Sequence, residues 1–291
     1  MENMNNTAKF GPGGNSALFA AKGHKSSLDA PAWVVDMGLD AYEYECGKGV
    51  NASLDTFASI GLRACEKGVH MSLHAPYFIS LSSVEEQKRI NSVRYITESL
   101  MAAKALGAGI IVVHAGSASK IDRSTAMFYA KSTIEMALNS AAKLNLDDIK
   151  IGLETMGKVN QLGTLDEIIE LCSIDSHLAP VVDFGHLYAR AHGDDMASSE
   201  QVKRTFDKVS AALGGEVADN MHCHFSCIEY SGGGEVKHLT FENTLFGPNP
   251  TMFAHTLAEI GVSPTVICES AGTQDIDALF LKNEYFGRLN G

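Results

Sequence analysis

Eight short runs rich in β-branched, aromatic and small residues recur along the chain, each followed by a longer stretch with helical spacing. No other feature constrains the fold as tightly. The runs are AKFGP (8–12), DAYEYEC (40–46), VHMSLHA (69–75), GIIVVHAG (109–116), IKIGLET (149–155), APVVDFG (179–185), NMHCHFS (220–226) and PTVICES (264–270). The helical stretches cover 27–38, 52–68, 83–108, 123–145, 164–173, 199–215, 249–261 and 275–289, and most begin near Ser, Thr or Asn and end near Gly or Asn, as helix caps require. Strands that alternate with helices form parallel βα units. Eight such units predict an α/β fold made of a single closed (β/α)8 TIM barrel spanning 1–291, with 1–7 as a polar, flexible tail. A doubly wound open sheet is the competing arrangement, but no GxGxxG follows the first strand and there is no Walker A lysine, so no nucleotide cofactor is expected. FGPGGN (10–15) reads as a loop over the barrel top, and SGGGEVKH (231–238) as a mobile loop after the seventh strand.

Composition narrows the setting. No run of about 18 apolar residues occurs and no hydrophobic segment follows the polar start, so neither a membrane partner nor a secretory signal is expected. The six cysteines are scattered without a CxxC pair, which fits reduced thiols and a cytoplasmic protein. A monomer is expected. The formal net charge of −12 repels a phosphate backbone at long range, so nucleic-acid binding would need local basic groups or bound cations.

Metal-competent residues fall on the strand pattern at equivalent places. His74, His114, Glu154, Asp183, His224 and Glu269 stand near the carboxyl ends of strands three to eight. Taken singly, each is more often a structural residue; together they point to one pocket, because a barrel gathers those strand ends on a single face. Crowded carboxylates in a partly dehydrated pocket call for cations, and mixed imidazole and carboxylate ligation suits zinc or manganese better than magnesium. His186, three residues after Asp183, can serve a second ion from the strand-six loop, and His238 and Glu235 can fold over the site from the glycine-rich segment or simply face solvent. His222 and His224 share a strand face; His224 is preferred because it lies nearer the strand end. His70, His177, His192 and His255 read as surface or packing residues.

The ordered motifs HAPYF (His74), HAG (His114), LETMGKVNQLGTLDEI (Glu154), VVDFGH (Asp183), HFS (His224) and ES (Glu269) resemble the endonuclease IV family of AP endonucleases, within the xylose isomerase-like barrels, over about residues 8–285. The resemblance implies a zinc cluster of two or three ions that cleaves duplex DNA on the 5′ side of an abasic site in base excision repair. It implies His74 and His114 on one zinc, Glu154 bridging to a second held by Asp183, His224 and Glu269, and His186 and His238 on a third. Tyr77 of HAPY matches a tyrosine near the reaction centre, and Glu154, Tyr77 and Glu269 are the implied catalytic residues. The chain departs from the family where an aspartate is expected two residues before the last histidine: Val236 stands there, next to Glu235. The alternatives are a single-metal sugar isomerase or epimerase built on Glu154, Asp183, His224 and Glu269, and a noncatalytic metal-binding relative. Lys120, Arg123, Lys158, Arg190 and Lys237 lie on expected strand-end loops and are candidates for phosphate contact.

Overall fold

The computed structural model describes residues 7–290, so the expected tail at 1–7 lies, apart from residue 7, outside the described residues. Eight parallel strands form one sheet: β1 (Lys9–Pro12), β2 (Ala41–Glu45), β3 (His70–His74), β4 (Ile110–His114), β5 (Lys150–Glu154), β6 (Leu178–Asp183), β7 (His222–Phe225) and, after the hairpin strands β8 (Cys227–Ser231) and β9 (Gly234–Leu239), β10 (Thr265–Cys268). Their order in space is β1-β10-β7-β6-β5-β4-β3-β2. The two end strands meet, because the Asp40 amide donates to the Phe10 carbonyl and the Gly14 amide to the Glu43 carbonyl, each at 2.9 Å. A parallel bridge between Gly13 and Glu43 completes the seam. A TIM barrel results.

The seam explains one residue choice. A Cβ on Gly11 would sit 1.8 Å from the Ala41 carbonyl oxygen, so no side chain fits where β1 crosses β2.

Strand alternation then sorts the side chains. Leu73, Ile111, Val113, Leu153, Val182, Cys223 and Val266 belong to the large apolar core with the surrounding helices. The opposite face of the strands carries Glu43, Ser72, His74, His114, Glu154, Asp183, His222 and His224, so the barrel interior is polar over much of its depth. Helix starts follow local chemistry: the side chains of Ser53, Asp122 and Asn249 accept from the amides of Thr56, Thr125 and Met252, and Thr164 with Glu167, and Ser198 with Gln201, form capping boxes. Gly68, Gly107 and Gly261 end their helices in the left-handed conformation.

Three segments differ from the sequence-based expectation. SGGGEVKH is not a mobile loop: it is the turn and second strand of the β8–β9 antiparallel hairpin, with fully buried Ile228 anchoring the base. FGPGGN is only partly a loop, since Phe10–Pro12 belong to β1 and Gly13 bridges β2. The DFGH segment is a helix, Phe184–Arg190, started by the Asp183 side chain, which accepts from the His186 amide at 2.7 Å.

Gly11→Ala is expected to push β1 away from β2 and to cost roughly 3 kcal/mol or more, because the clash is with backbone that cannot rotate aside. Denaturant unfolding would show it; a midpoint equal to that of the unaltered chain would rule out a tight seam here.

Candidate metal centre

At the carboxyl ends of β3 to β7 and just past β10, the side chains picked out by their strand positions converge on a cavity of about 540 Å³ lined by His74, Tyr77, His114, Glu154, His186, Glu235, His238 and Glu269, together with Glu45. The sheet register places them. His114 sits beside Glu154, and Asp183 beside His224, as paired residues of neighbouring strands.

Glu154 is the hub, 1% exposed, and its two oxygens face different groups. Oε2 lies 3.4 Å from His74 Nε2 and 3.1 Å from His114 Nε2, whereas Oε1 lies 3.3 Å from His186 Nδ1 and 3.2 Å from His224 Nδ1. Glu269 Oε1 approaches the same His224 Nδ1 at 3.3 Å. Two rings are aimed from behind: His74 Nδ1–H donates to the Ala75 carbonyl at 2.8 Å, which leaves Nε2 for the cavity, and His186 Nδ1–H donates to the Thr155 carbonyl at 2.9 Å.

Five sets of ligand atoms lie within 4.8 Å of one another, and three are built from the residues expected at the strand ends and the hairpin: His74, His114 and Glu154; Glu154, Asp183, His224 and Glu269; and His186, Glu235 and His238; the other two, Glu43, His222 and His224, and Glu43, Glu45 and Glu269, share Glu43. The third set answers the question raised by Val236. The β8–β9 ladder shifts register between Glu229 and Tyr230: Glu229 pairs with Lys237 but Tyr230 pairs with Glu235, so Val236 is the extra residue of a β-bulge. In a regular strand, residues 235 and 238 would point to opposite faces. The bulge brings both to the cavity side, where Glu235 Oε2 lies 3.5 Å from His186 Nε2 and Oε1 lies 3.9 Å from His238 Nε2, while Val236 is 47% exposed.

The electrostatics of these groups demand positive charge. Burial alone would drive the Glu154 proton on, yet the surrounding imidazoles, His224 foremost, hold its carboxyl well below the usual range. Burial pushes Glu45 up to about 7 and Glu269 up to about 8, against the opposing pull of His74 and of His224 respectively. His74 rises to about 10, and His186 and His224 also rise well above the ordinary imidazole value, as the carboxylates around them override desolvation. Burial lowers His114 and His238. Among the described residues, Asp183 Oδ2 is buried without a hydrogen-bond partner. A donor set of imidazoles and carboxylates with an orphaned buried oxygen fits divalent cations such as zinc or manganese.

The other candidates divide between the cavity wall and positions away from it. Tyr77 lies at the rim, 58% exposed, its ring 6.5 Å from that of His114. Lys158 lines the cavity, and Lys237 pairs with Glu229 at 3.2 Å. Arg123 and Arg190 are not offered to a phosphate: Arg123 donates to Glu167 and to the carbonyls of Val159 and Gln161, and Arg190 to those of Met156, Lys158, Val159 and Gln161. Both guanidiniums brace the segment that follows β5, whose carbonyls at Met156, Lys158, Val159 and Gln161 lie outside the barrel strands. His177 pairs with Asp175 at 2.6 Å and His255 with Glu284 at 3.1 Å, away from the cavity. Sequence reasoning passed over Glu43 and Glu45. Their signal was two acids at alternate positions of a strand whose neighbours are apolar or aromatic.

Comparison with known proteins places this arrangement. The family described as xylose isomerase-like TIM barrel matches residues 31–283. The chain belongs to that family. An uncharacterised protein of Methanocaldococcus jannaschii is 34% identical over 251 residues, covering 86% of this chain and 88% of that one. Relatives named probable endonuclease 4 include one of Acholeplasma laidlawii, 32% identical over 108 residues (35% of this chain, 36% of that one), and one of Mycobacterium bovis, 26% identical over 214 residues (72% and 77%). Among solved structures with a similar fold, a D-tagatose 3-epimerase-like protein aligns with a TM-score of 0.70 at 20% identity, covering 97% of this chain and 98% of that one. Endonuclease IV from Thermus thermophilus aligns with a TM-score of 0.69 at 19% identity, covering 97% and 99%. Likeness at such identities shows the barrel and nothing finer.

Two outcomes follow from the geometry. Glu235→Ala is expected to lower divalent-cation uptake by one ion per chain, whereas Val236→Ala leaves it unchanged; equal loss in both, by elemental analysis after dialysis, would remove the bulge from the ligand set. Because His74 keeps its proton up to about pH 10 in the metal-free protein, cation uptake at neutral pH must expel protons and tighten as pH rises toward that value. Calorimetry in buffers of different ionisation enthalpy reads the protons released, and a pH-independent affinity would contradict it.

Proposed function

We propose that the chain is a zinc-dependent phosphodiesterase that nicks duplex DNA on the 5′ side of abasic sites, an AP endonuclease of base excision repair. One observation carries the reading: Glu154 divides its two oxygens between the His74–His114 side and the His186–His224 side. A carboxylate shared in that way suits a centre of two or three cations. A single-metal sugar epimerase needs only Glu154, Asp183, His224 and Glu269, and would leave His74, His114 and the bulged Glu235–His238 pair without a task.

Zinc bound there would supply Lewis acidity toward the phosphate and a nucleophile drawn from water at neutral pH. The chain's own residues do the rest. His74, His114 and Glu154 would hold one ion, Glu154 with Asp183, His224 and Glu269 a second, and His186, Glu235 and His238 a third. Tyr77, at the rim with its ring 6.5 Å from that of His114, would pack against the sugar next to the scissile phosphate. Among the described residues, Lys158 is the one basic side chain besides histidine that lines the cavity. With a net charge of −12 over the chain, attraction for the anionic backbone has to come from the centre itself.

The deciding experiment incubates the protein with a duplex holding one abasic analogue and measures metal content on the same sample. Two or three zinc ions with a 5′ nick are expected, and Glu154→Gln is expected to abolish nicking while circular dichroism and melting show a folded chain. One manganese with ketose turnover and no nick would replace this reading with the epimerase one; nicking by Glu154→Gln equal to the unaltered chain would refute the bridging role.

A further inference from the structure

Beneath the cavity floor, the barrel interior holds a carboxylate that none of the three proposed ion positions requires. Glu43 of β2 is fully buried. Its Oε2 accepts from Ser72 Oγ at 2.7 Å and lies 2.9 Å from His222 Nε2. Its Oε1 faces His224 Nε2 across 3.0 Å as an ion pair, and among the described residues neither of those two buried atoms has a hydrogen-bond partner, each other included. These contacts cross the barrel, since β2 and β7 are separated in the sheet by β1 and β10.

The chemistry of His224 gives the contact a direction. Its Nδ1 points at Glu154 Oε1 and Glu269 Oε1, 3.2 and 3.3 Å away. An imidazole that offers one nitrogen to a cation carries its proton on the other. With Nδ1 on the cluster side, the proton must sit on Nε2, where Glu43 is the acceptor at hand. Left without an acceptor, that buried N–H would be unsatisfied, and the ring would be free to swing its lone pair away from the cluster.

We propose that Glu43 is a positioning residue: it receives Nε2–H of His224 from across the barrel and fixes the tautomer and ring plane that present Nδ1 to Glu154, Asp183 and Glu269. Ser72 and His222 hold the Glu43 carboxylate in place by its second oxygen. The inference rests on reading that quartet as a cation position, and it assigns β2 a part in a centre whose ligands all come from later strands.

The test compares the full-length unaltered chain with Glu43→Gln and Ser72→Ala. Zinc affinity is measured by competition with a chromophoric chelator, and melting temperature is recorded for metal-free and zinc-loaded protein. Glu43→Gln is expected to weaken one zinc position about 10–100-fold and to shrink the zinc-induced rise in melting temperature, with the other positions kept. Should Glu43→Gln not fold, Ser72→Ala, which removes only the hydroxyl that steadies the carboxylate, is expected to weaken the same position several-fold. Unchanged zinc affinity in the folded variant, with equal falls in melting temperature with and without zinc, would overturn the proposal and leave Glu43 as a packing element. Failure of the unaltered chain to take up zinc at this position would overturn it too, and would be seen apart from any variant because it removes the cation reading itself.

Discussion

Four imidazoles around one buried carboxylate govern this structure. Glu154 sits where water is excluded, and an isolated charge there would be costly. His74, His114, His186 and His224 each come within 3.4 Å of it, from four different strands or strand ends. No local segment could assemble that group. Only a closed ring of parallel strands points so many side chains at one axis, so the stability of the charge and the closure of the barrel depend on each other.

The seam between β1 and β2 therefore bears on the site as well as on the fold. Gly11 permits the strands to touch, and the touching carries Glu43 and Glu45 inward from β2 toward residues of β7 and the end of β10. Below the cavity the interior is a hydrogen-bonded layer of Glu43, Ser72 and His222 in place of the branched apolar side chains that commonly fill such barrels. A polar layer of that kind restrains ring orientation more sharply than packing does, because hydrogen bonds have direction.

The β8–β9 hairpin shows how a small backbone irregularity can decide which residue of a strand faces a cavity. Where endonuclease IV-like sequences are expected to carry an aspartate, this chain has a valine, and a valine has nothing to give an ion. One extra residue in the ladder turns Val236 outward and Glu235 inward, so a carboxylate still faces His186 and His238. The same turn of backbone gives Glu235 an amide bond to the Gly157 carbonyl, which fastens the hairpin over the cavity beside the segment after β5.

Much of this was legible in the chain. Strand and helix periods differ, so eight β runs and their helices could be placed from spacing alone, and six strands announced themselves by ending in His, Asp or Glu. What could not be read depended on direction and on distances between residues far apart in sequence. Arg123 and Arg190 looked like loop cations until the carbonyls of 156–161 were seen to need donors. Glu235 and Val236 exchanged roles through a bulge that leaves no mark in composition. Glu43 and His224, 3.0 Å apart in the folded chain, are brought together solely by closing the barrel. Sequence by itself determined which residues stand at the strand ends, because side-chain period and polarity are local; the tertiary structure decided which of them share a neighbour, because register, bulges and closure set that.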